Sequence, residues 1–191
     1  MYMVGPTVNG SIHLILGNMF SGKTTELLRR YRRYKFSGKS CIAIKYTNDT
    51  RYDTNYDDPM VITHDNMKVE AIACKCLHEV NEQIKDYDVI CIDEVQFYTD
   101  APEFCEKWAN QGKIIEASGL SGTFNRTPFP VISNLIPLAE TLIMLDAICE
   151  KTGNRAPFTK LLIENTTGGV EIIGGADKYA PVDRGTYFEQ N

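Results

Sequence analysis

The chain predicts an α/β protein with a mainly parallel sheet flanked by helices, and three observations carry that prediction. Apolar runs of strand length alternate with helix-like segments up to residue 148. The first run, Ile12-His13-Leu14-Ile15-Leu16, leads directly into Gly17-Asn18-Met19-Phe20-Ser21-Gly22-Lys23-Thr24, which reads G-x-x-x-x-G-K-[ST]. A later run, Val89-Ile90-Cys91-Ile92, ends in two carboxylates, Asp93 and Glu94.

The glycine pattern is a phosphate-binding P-loop in its required setting of strand, loop and helix. The core is expected to be of the P-loop (RecA-like) class. The glycines let the backbone curl so that several N–H groups of Gly17–Thr24 face one anion, and the following helix adds its positive dipole end. Lys23 is expected at the β- and γ-phosphates of a nucleoside triphosphate, and Thr24 at a Mg²⁺ ion.

The remaining elements follow in order. Residues 25–36 have Leu27, Leu28, Tyr31 and Tyr34 at helical spacing, facing a core, with Arg29, Arg30, Arg32, Arg33 and Lys35 mostly on other faces. That basic run reads as a solvated helix face favoured by the C-terminal dipole, with a nucleic-acid patch as the alternative. Ser37-Gly38 ends the helix. Cys41–Tyr46 is a second strand, residues 47–60 a polar loop, residues 76–85 a helix, residues 101–110 a helix and Lys113–Ser118 a strand. Gly122, Pro128 and Pro130 make residues 121–134 a loop. Leu135–Met144 is a short helix leading to a strand. From Cys149 onward glycine-punctuated short runs suggest a small β-rich appendage. The domains are then a P-loop core, 1–148, and a small β-rich subdomain, 149–191.

Composition narrows the function classes. A chain of 191 residues with net charge −5 has no overall basic field for nucleic acid or anionic lipid. No apolar run reaches the length of a membrane span, and residues 1–11 lack the charged and apolar regions of a signal peptide. Six cysteines without a C-x-x-C pair read as reduced thiols of a cytoplasmic protein, with secretion and disulfides as the alternative.

In P-loop proteins a strand-end aspartate beside the P-loop strand contacts Mg²⁺, and a second carboxylate there orients or deprotonates an acceptor hydroxyl. Asp93 and Glu94 have that pattern. Together with Gly17–Thr24, Ile44–Tyr52, Thr63-His64-Asp65, Asp93–Phe97, Leu120–Phe124 with Pro128-Phe129, and Glu171–Tyr179, they resemble the cellular and poxviral thymidine kinases. The blocks occur in family order, over about residues 11–187.

The resemblance implies transfer of the ATP γ-phosphoryl group to the 5′-hydroxyl of thymidine with Mg²⁺. It implies that Glu94 is the catalytic carboxylate and that Arg51 stabilises phosphoryl charge. Thr24, Asp93 and Asp49 are implied near the metal. Residues 120–134 correspond to a loop closing over the nucleoside, with Phe97, Leu120, Thr123, Phe124 and Phe129 around the base. Val170, Ile172, Gly174 and Tyr179 are implied at the sugar and base, and Met19 and Thr159 near the 5-methyl. It also implies a homotetramer or dimer and feedback inhibition by dTTP. The competing readings are a P-loop ATPase acting on nucleic acid and a non-catalytic nucleotide-binding module.

Several positions depart from the family pattern. Asn18 stands for Pro, Val95 for Gly or Ala, and Ser121 for Asp, and the loop around Tyr52–Val61 is longer. Glu116 sits in an apolar strand run without an evident role. For the subdomain 149–191 the resemblance implies a lasso-type, zinc-ribbon-like character, and the appendage of relatives carries two C-x-x-C-like half-sites for a structural zinc. Here they read Cys149-Glu150-Lys151-Thr152 and Asp183-Arg184-Gly185-Thr186, with one thiol left, so structural zinc is doubtful. An Asp183–Thr hydrogen bond is one expected substitute.

Overall fold

Strand β1 (Ser11–Gly17) is buried on both faces, Ile12, Leu14 and Leu16 entering one cluster and Ile15 another. A strand covered on both faces has no solvated side to alternate with, which explains its nearly unbroken apolar run. The structure is a computed structural model that describes residues 10–48, 59–63, 67–163 and 174–189. Around β1 stand β2 (Cys41–Tyr46), β3 (Met60–Ile62), β4 (Lys68–Cys74), β5 (Val89–Ile92), β6 (Ile114–Leu120) and β7 (Thr141–Leu145). They form one sheet in the order β3-β4-β2-β5-β6-β1-β7. Every pairing in it is parallel except β3 with β4.

The strand that ends in Asp93 is therefore not beside the P-loop strand, as the motif alone suggested. Strand β6 lies between them, with Gly17 opposite Leu120 and Ile92 opposite Ala117.

Helix α1 (Lys23–Phe36) covers one face of the sheet. Leu27 and Leu28 are fully buried, and Tyr31 and Tyr34 pack beside them. Gly38, at φ 84, follows the helix, and its N–H and that of Lys39 bond back to Lys35 and Tyr34. Helices α2 (Ala101–Asn110) and α3 (Pro130–Leu135) lie on the opposite face, where Trp108 is completely buried. No helix among the described residues is long and apolar enough to cross a membrane. All six cysteines are free thiols.

Three expectations are corrected. Residues 76–85 hold only a 3-10 turn, Leu77–Val80, followed by turns. Their polar groups are met from elsewhere: Asp100 accepts the N–H of Leu77 and His78 at 3.0 Å each, and the Lys113 ammonium donates to the carbonyls of Ile84, Lys85 and Tyr87. Residues 130–134 belong to α3 rather than to the loop, because Pro130 sits in the first helical turn, where a missing N–H does no harm. Strands β3 and β4 complete the sheet edge in a region where no strand was expected. Here β4 keeps solvent on part of one face, so its sequence is mixed rather than solidly apolar.

Beyond β7 come two small antiparallel ladders, β8 (Ala147–Ile148) with β9 (Arg155–Ala156) and β10 (Phe158–Leu161) with β11 (Tyr179–Val182). Helix α4 (Arg184–Phe188) follows.

Glu116, unexplained in sequence, is paired from α1. It is 1% exposed, accepts from Arg30 at 2.8 Å and from the Tyr34 hydroxyl at 3.0 Å, and Arg30 also reaches Glu26 at 2.8 Å. Burial and then the neighbouring Glu116 push the Tyr34 hydroxyl up to about 12, so it remains a donor. Breaking a buried ion pair from one side strands the other charge. Arg30→Ala is expected to lower the unfolding free energy by about 3 kcal/mol, whereas Arg29→Ala, an exposed contact to Glu26, leaves it within error. Urea titrations of the two variants measure the difference.

Candidate functional site

The C-terminal ends of the parallel strands open onto a cavity of about 720 Å³. The P-loop forms one wall. A Cβ on Gly17 would stand 2.5 Å from the Leu145 carbonyl oxygen, which excludes a side chain there, and Gly22 turns into α1 at φ 80, a conformation that favours glycine. Phe20 also takes a left-handed φ of 65. The Asn18 carbonyl accepts from the Ser21 hydroxyl at 2.8 Å and from the Lys23 ammonium at 2.6 Å. Lys23 is thus aimed along the inner face of the loop. Met19, Phe20, Gly22, Lys23 and Thr24 line the cavity, while Gly17, Asn18 and Ser21 shape the loop behind them.

Asp93 closes the gap left by the intervening β6. Its carboxylate accepts from the Thr24 hydroxyl at 3.2 Å to each oxygen and from the Ser118 hydroxyl of β6 at 2.5 Å. An anionic carboxylate beside a threonine hydroxyl and a phosphate-binding loop is an oxygen-ligand set suited to Mg²⁺. Asp49, the third residue implied near the metal, and Arg51 lie outside the described residues.

Glu94 follows at φ 50 and ψ 47, left-handed for a non-glycine residue. Such backbone strain persists only where surroundings hold it, and it concentrates at functional sites. The Glu94 carboxylate is braced by Gln96, 5% exposed, whose amide nitrogen donates to Glu94 Oε2 at 2.7 Å while its carbonyl oxygen accepts the Leu120 N–H at 3.0 Å. Sequence reading assigned Gln96 no role. The signal for it was a polar side chain in the stretch after the acidic strand.

The apolar end of the cavity brings together Phe97, Leu120, Thr123, Phe124, Phe129, Thr159, Gly174 and Tyr179. Val170 and Ile172 lie outside the described residues. Phe97 stacks on Tyr46 with ring centroids 5.1 Å apart, and Phe124 meets Tyr179 at 6.3 Å. The P-loop is tied to β10 by Asn18 Nδ2 to the Phe158 carbonyl at 3.2 Å and by the Met19 N–H to the Thr159 hydroxyl at 3.1 Å. Met19 and Thr159 therefore meet at the cavity wall. Lys45, Tyr46, Met60–Thr63 and Asp177 also line the cavity and were not assigned to it. Lys45 is 7% exposed in an otherwise apolar strand, and a lysine in such a run was its available signal.

The four half-site residues of the appendage come together, but their donors do not fit zinc. Asp183 Oδ2 accepts from the Thr152 hydroxyl at 2.6 Å and from Asn154 at 3.3 Å, and its Oδ1 accepts the Thr186 N–H at 2.8 Å, capping α4. Cys149 lies 3.8 Å from the Thr186 hydroxyl. Two neutral hydroxyls, one thiol and an already bonded carboxylate make a poor closed zinc site. The expected Asp183–Thr bond is present. Away from the cavity, Cys76, His78 and Asp100 also approach one another, but Asp100 there caps the Leu77–Val80 turn.

Bonds from Thr152, then from Thr186 and Asn154, hold the Asp183 carboxyl well below its ordinary value. Its contribution to stability is therefore complete above the ordinary carboxyl range and is lost as pH falls through the depressed folded value. The difference in melting temperature between the parent chain and Asp183→Asn is expected to be largest above about pH 5 and to shrink by about pH 3. A difference constant with pH would show that the carboxylate charge is not what the hydroxyls hold.

The family model described as "TK: Thymidine kinase" matches residues 10–187. "Thymidine kinase 1" of Dictyostelium discoideum is 45% identical over 185 residues, 97% of this chain and 81% of that protein. "Thymidine kinase" of Vaccinia virus (strain Western Reserve) is 49% identical over 180 residues, covering 94% of this chain and 98% of the viral one. The protein of the same name from Raccoon poxvirus is 48% identical over 181 residues, 95% and 98% of the two chains.

Proposed function

Because the chain belongs to the thymidine kinase family, we propose that Glu94 takes the proton of the thymidine 5′-hydroxyl as that oxygen attacks the γ-phosphorus of ATP. The activity is thymidine kinase, giving dTMP and ADP. The bond from the γ-phosphorus to the β,γ-bridging oxygen breaks as the new P–O bond forms, and ADP leaves with the electron pair. One observation carries the assignment of Glu94: a strained, nearly buried carboxylate, braced by Gln96, shares a cavity with Lys23, Thr24 and an apolar pocket.

Lys23 and the P-loop N–H groups of Gly17–Thr24 bind the phosphates. Thr24 and Asp93 would hold Mg²⁺, which supplies charge neutralisation at the β- and γ-phosphates when bound. Asp49 and Arg51 keep the roles the family resemblance implies, beside the metal and the transferring phosphoryl group. Phe97, Leu120, Phe124 and Phe129 surround the base, with Thr123 and Tyr179 beside them and Met19 and Thr159 toward the 5-methyl. Val170, Ile172 and Gly174 complete the nucleoside site. The nucleic-acid ATPase reading is not favoured: net charge is −5, and Arg29 and Arg30 of the basic helix are engaged by Glu26 and Glu116.

The assembly is a homo-oligomer, tetramer or dimer, supported by the exposed Leu142 and Met144 on edge strand β7. The enzyme works in the cytoplasm, in keeping with its free thiols, and dTTP inhibits it by occupying the nucleoside site. The appendage holds together without zinc, through the hydrogen bonds of Asp183.

Turnover with Mg-ATP is expected for thymidine and little for deoxycytidine; equal turnover of both overturns the reading. Glu94→Gln is expected to lower kcat by about 10²–10⁴ with ATP affinity nearly unchanged, since a base acts in the transition state rather than in ground-state binding. A loss below about fivefold would exclude a general base. Elemental analysis after dialysis against a chelator is expected to find well under one zinc per chain.

A further inference from the structure

Residues 121–129 join β6 to α3 and set Gly122, Thr123, Phe124 and Phe129 against the cavity. The segment is closed on itself by Thr123 and Thr127, whose hydroxyls lie 2.7 Å apart and whose backbones bond at 3.0 Å. At its tip Arg126 takes φ 59, a left-handed conformation that an arginine rarely adopts. From there the guanidinium carbon sits 4.5 Å from the centroid of the Tyr187 ring, 4.6 Å from that of Phe188 and 5.5 Å from that of Phe158. The Tyr187 hydroxyl donates to the Phe124 carbonyl at 2.7 Å. The segment is thus gripped twice by α4, and neither Arg126 nor Tyr187 lines the cavity itself.

We propose that Arg126 is a positioning residue for nucleoside binding: caged by Tyr187, Phe188 and Phe158, it latches residues 121–129 over the apolar end of the cavity. This rests on the reading of that end as the thymidine site. Arg126 is exposed, and a cation over an aromatic ring at an exposed site is a weak contact, so the grip is strong enough to bias the loop closed and weak enough to let product leave. The conformation of the tip is explained as well. A left-handed residue there turns the long side chain away from the cavity and into the cage. The cage is itself anchored, because Asp183 caps α4 and reaches Thr152.

The test uses Arg126→Asn, because asparagine tolerates the left-handed backbone, and Tyr187→Phe, which keeps the ring and removes the hydroxyl. Hydrogen exchange of residues 121–129 is measured without nucleoside, and KM is measured separately for thymidine and ATP. Arg126→Asn is expected to speed exchange and to raise the thymidine KM about tenfold, the size of two or three exposed cation–π contacts. The ATP KM, kcat and melting temperature are expected to stay nearly constant. Arg126→Lys restores most of the loss, and adding Tyr187→Phe to Arg126→Asn increases it. Unchanged exchange in Arg126→Asn overturns the latch. So does a parallel rise in both KM values with a lowered melting temperature, which marks a merely structural residue. If the parent chain does not phosphorylate thymidine but exchange responds as stated, the latch stands and the kinase reading falls.

Discussion

The parallel register of β5, β6 and β1 is the constraint on which the rest of the molecule depends. Parallel pairing puts the C-terminal ends of all three strands on one edge of the sheet. The loop after β1 carries Lys23 and Thr24, the turn after β5 carries Asp93 and Glu94, and the loop after β6 carries Phe124 and Phe129. No one loop holds all of these cavity-lining groups together. They converge because the strands that feed them end side by side, at the place where open α/β sheets bind ligands. An antiparallel β5 would send Glu94 to the far edge.

That geometry also explains how Asp93 reaches Thr24 across a gap. With β6 between β5 and β1, a carboxylate at the end of β5 is a strand further from the P-loop than direct adjacency allows. Ser118, in β6 itself, donates to Asp93 and fixes one oxygen, and Thr24 reaches the carboxylate from the helix start. Glu94 is turned by its left-handed backbone and clamped by Gln96, which in turn is bonded to Leu120 at the end of β6. Strand β6 is thus the bridge between the two acidic residues and the loop that follows it along the cavity.

The appended hairpins act on the same edge from outside the sheet. Strand β10 holds the P-loop through Phe158 and Thr159, and α4 holds the segment after β6 through Tyr187 and the ring cage around Arg126. Their own anchor is the hydrogen-bonded group of Thr152, Asp183 and Thr186, with the Cys149 thiol, brought down to about 7 chiefly by the Thr152 hydroxyl, at its side. Polar bonds here do the work of joining two chain segments that a small apolar surface does not secure alone.

The parts of this protein that local chemistry dictates were legible in the sequence. A glycine loop needs glycines whatever surrounds it, a strand buried on both faces must be apolar, and a carboxylate pair at a strand end stands out against that run. The P-loop, β1, β2, β5, α1 and α2 follow from those rules, and the ordered family blocks pointed to the aromatic residues that line the cavity. What required the tertiary structure were features set by partners far along the chain. Glu116 has no local reason to be acidic; its reason is Arg30 and Tyr34, 86 and 82 residues away. Residues 76–85 looked helical, but Asp100 and Lys113 take their backbone groups and leave one turn. Gln96 matters through Leu120, and Arg126 through α4. Spacing along the chain reports what a residue does to its near neighbours, and only the packing of distant segments decides which buried charge is paired, which loop is held, and which carboxylate is aimed.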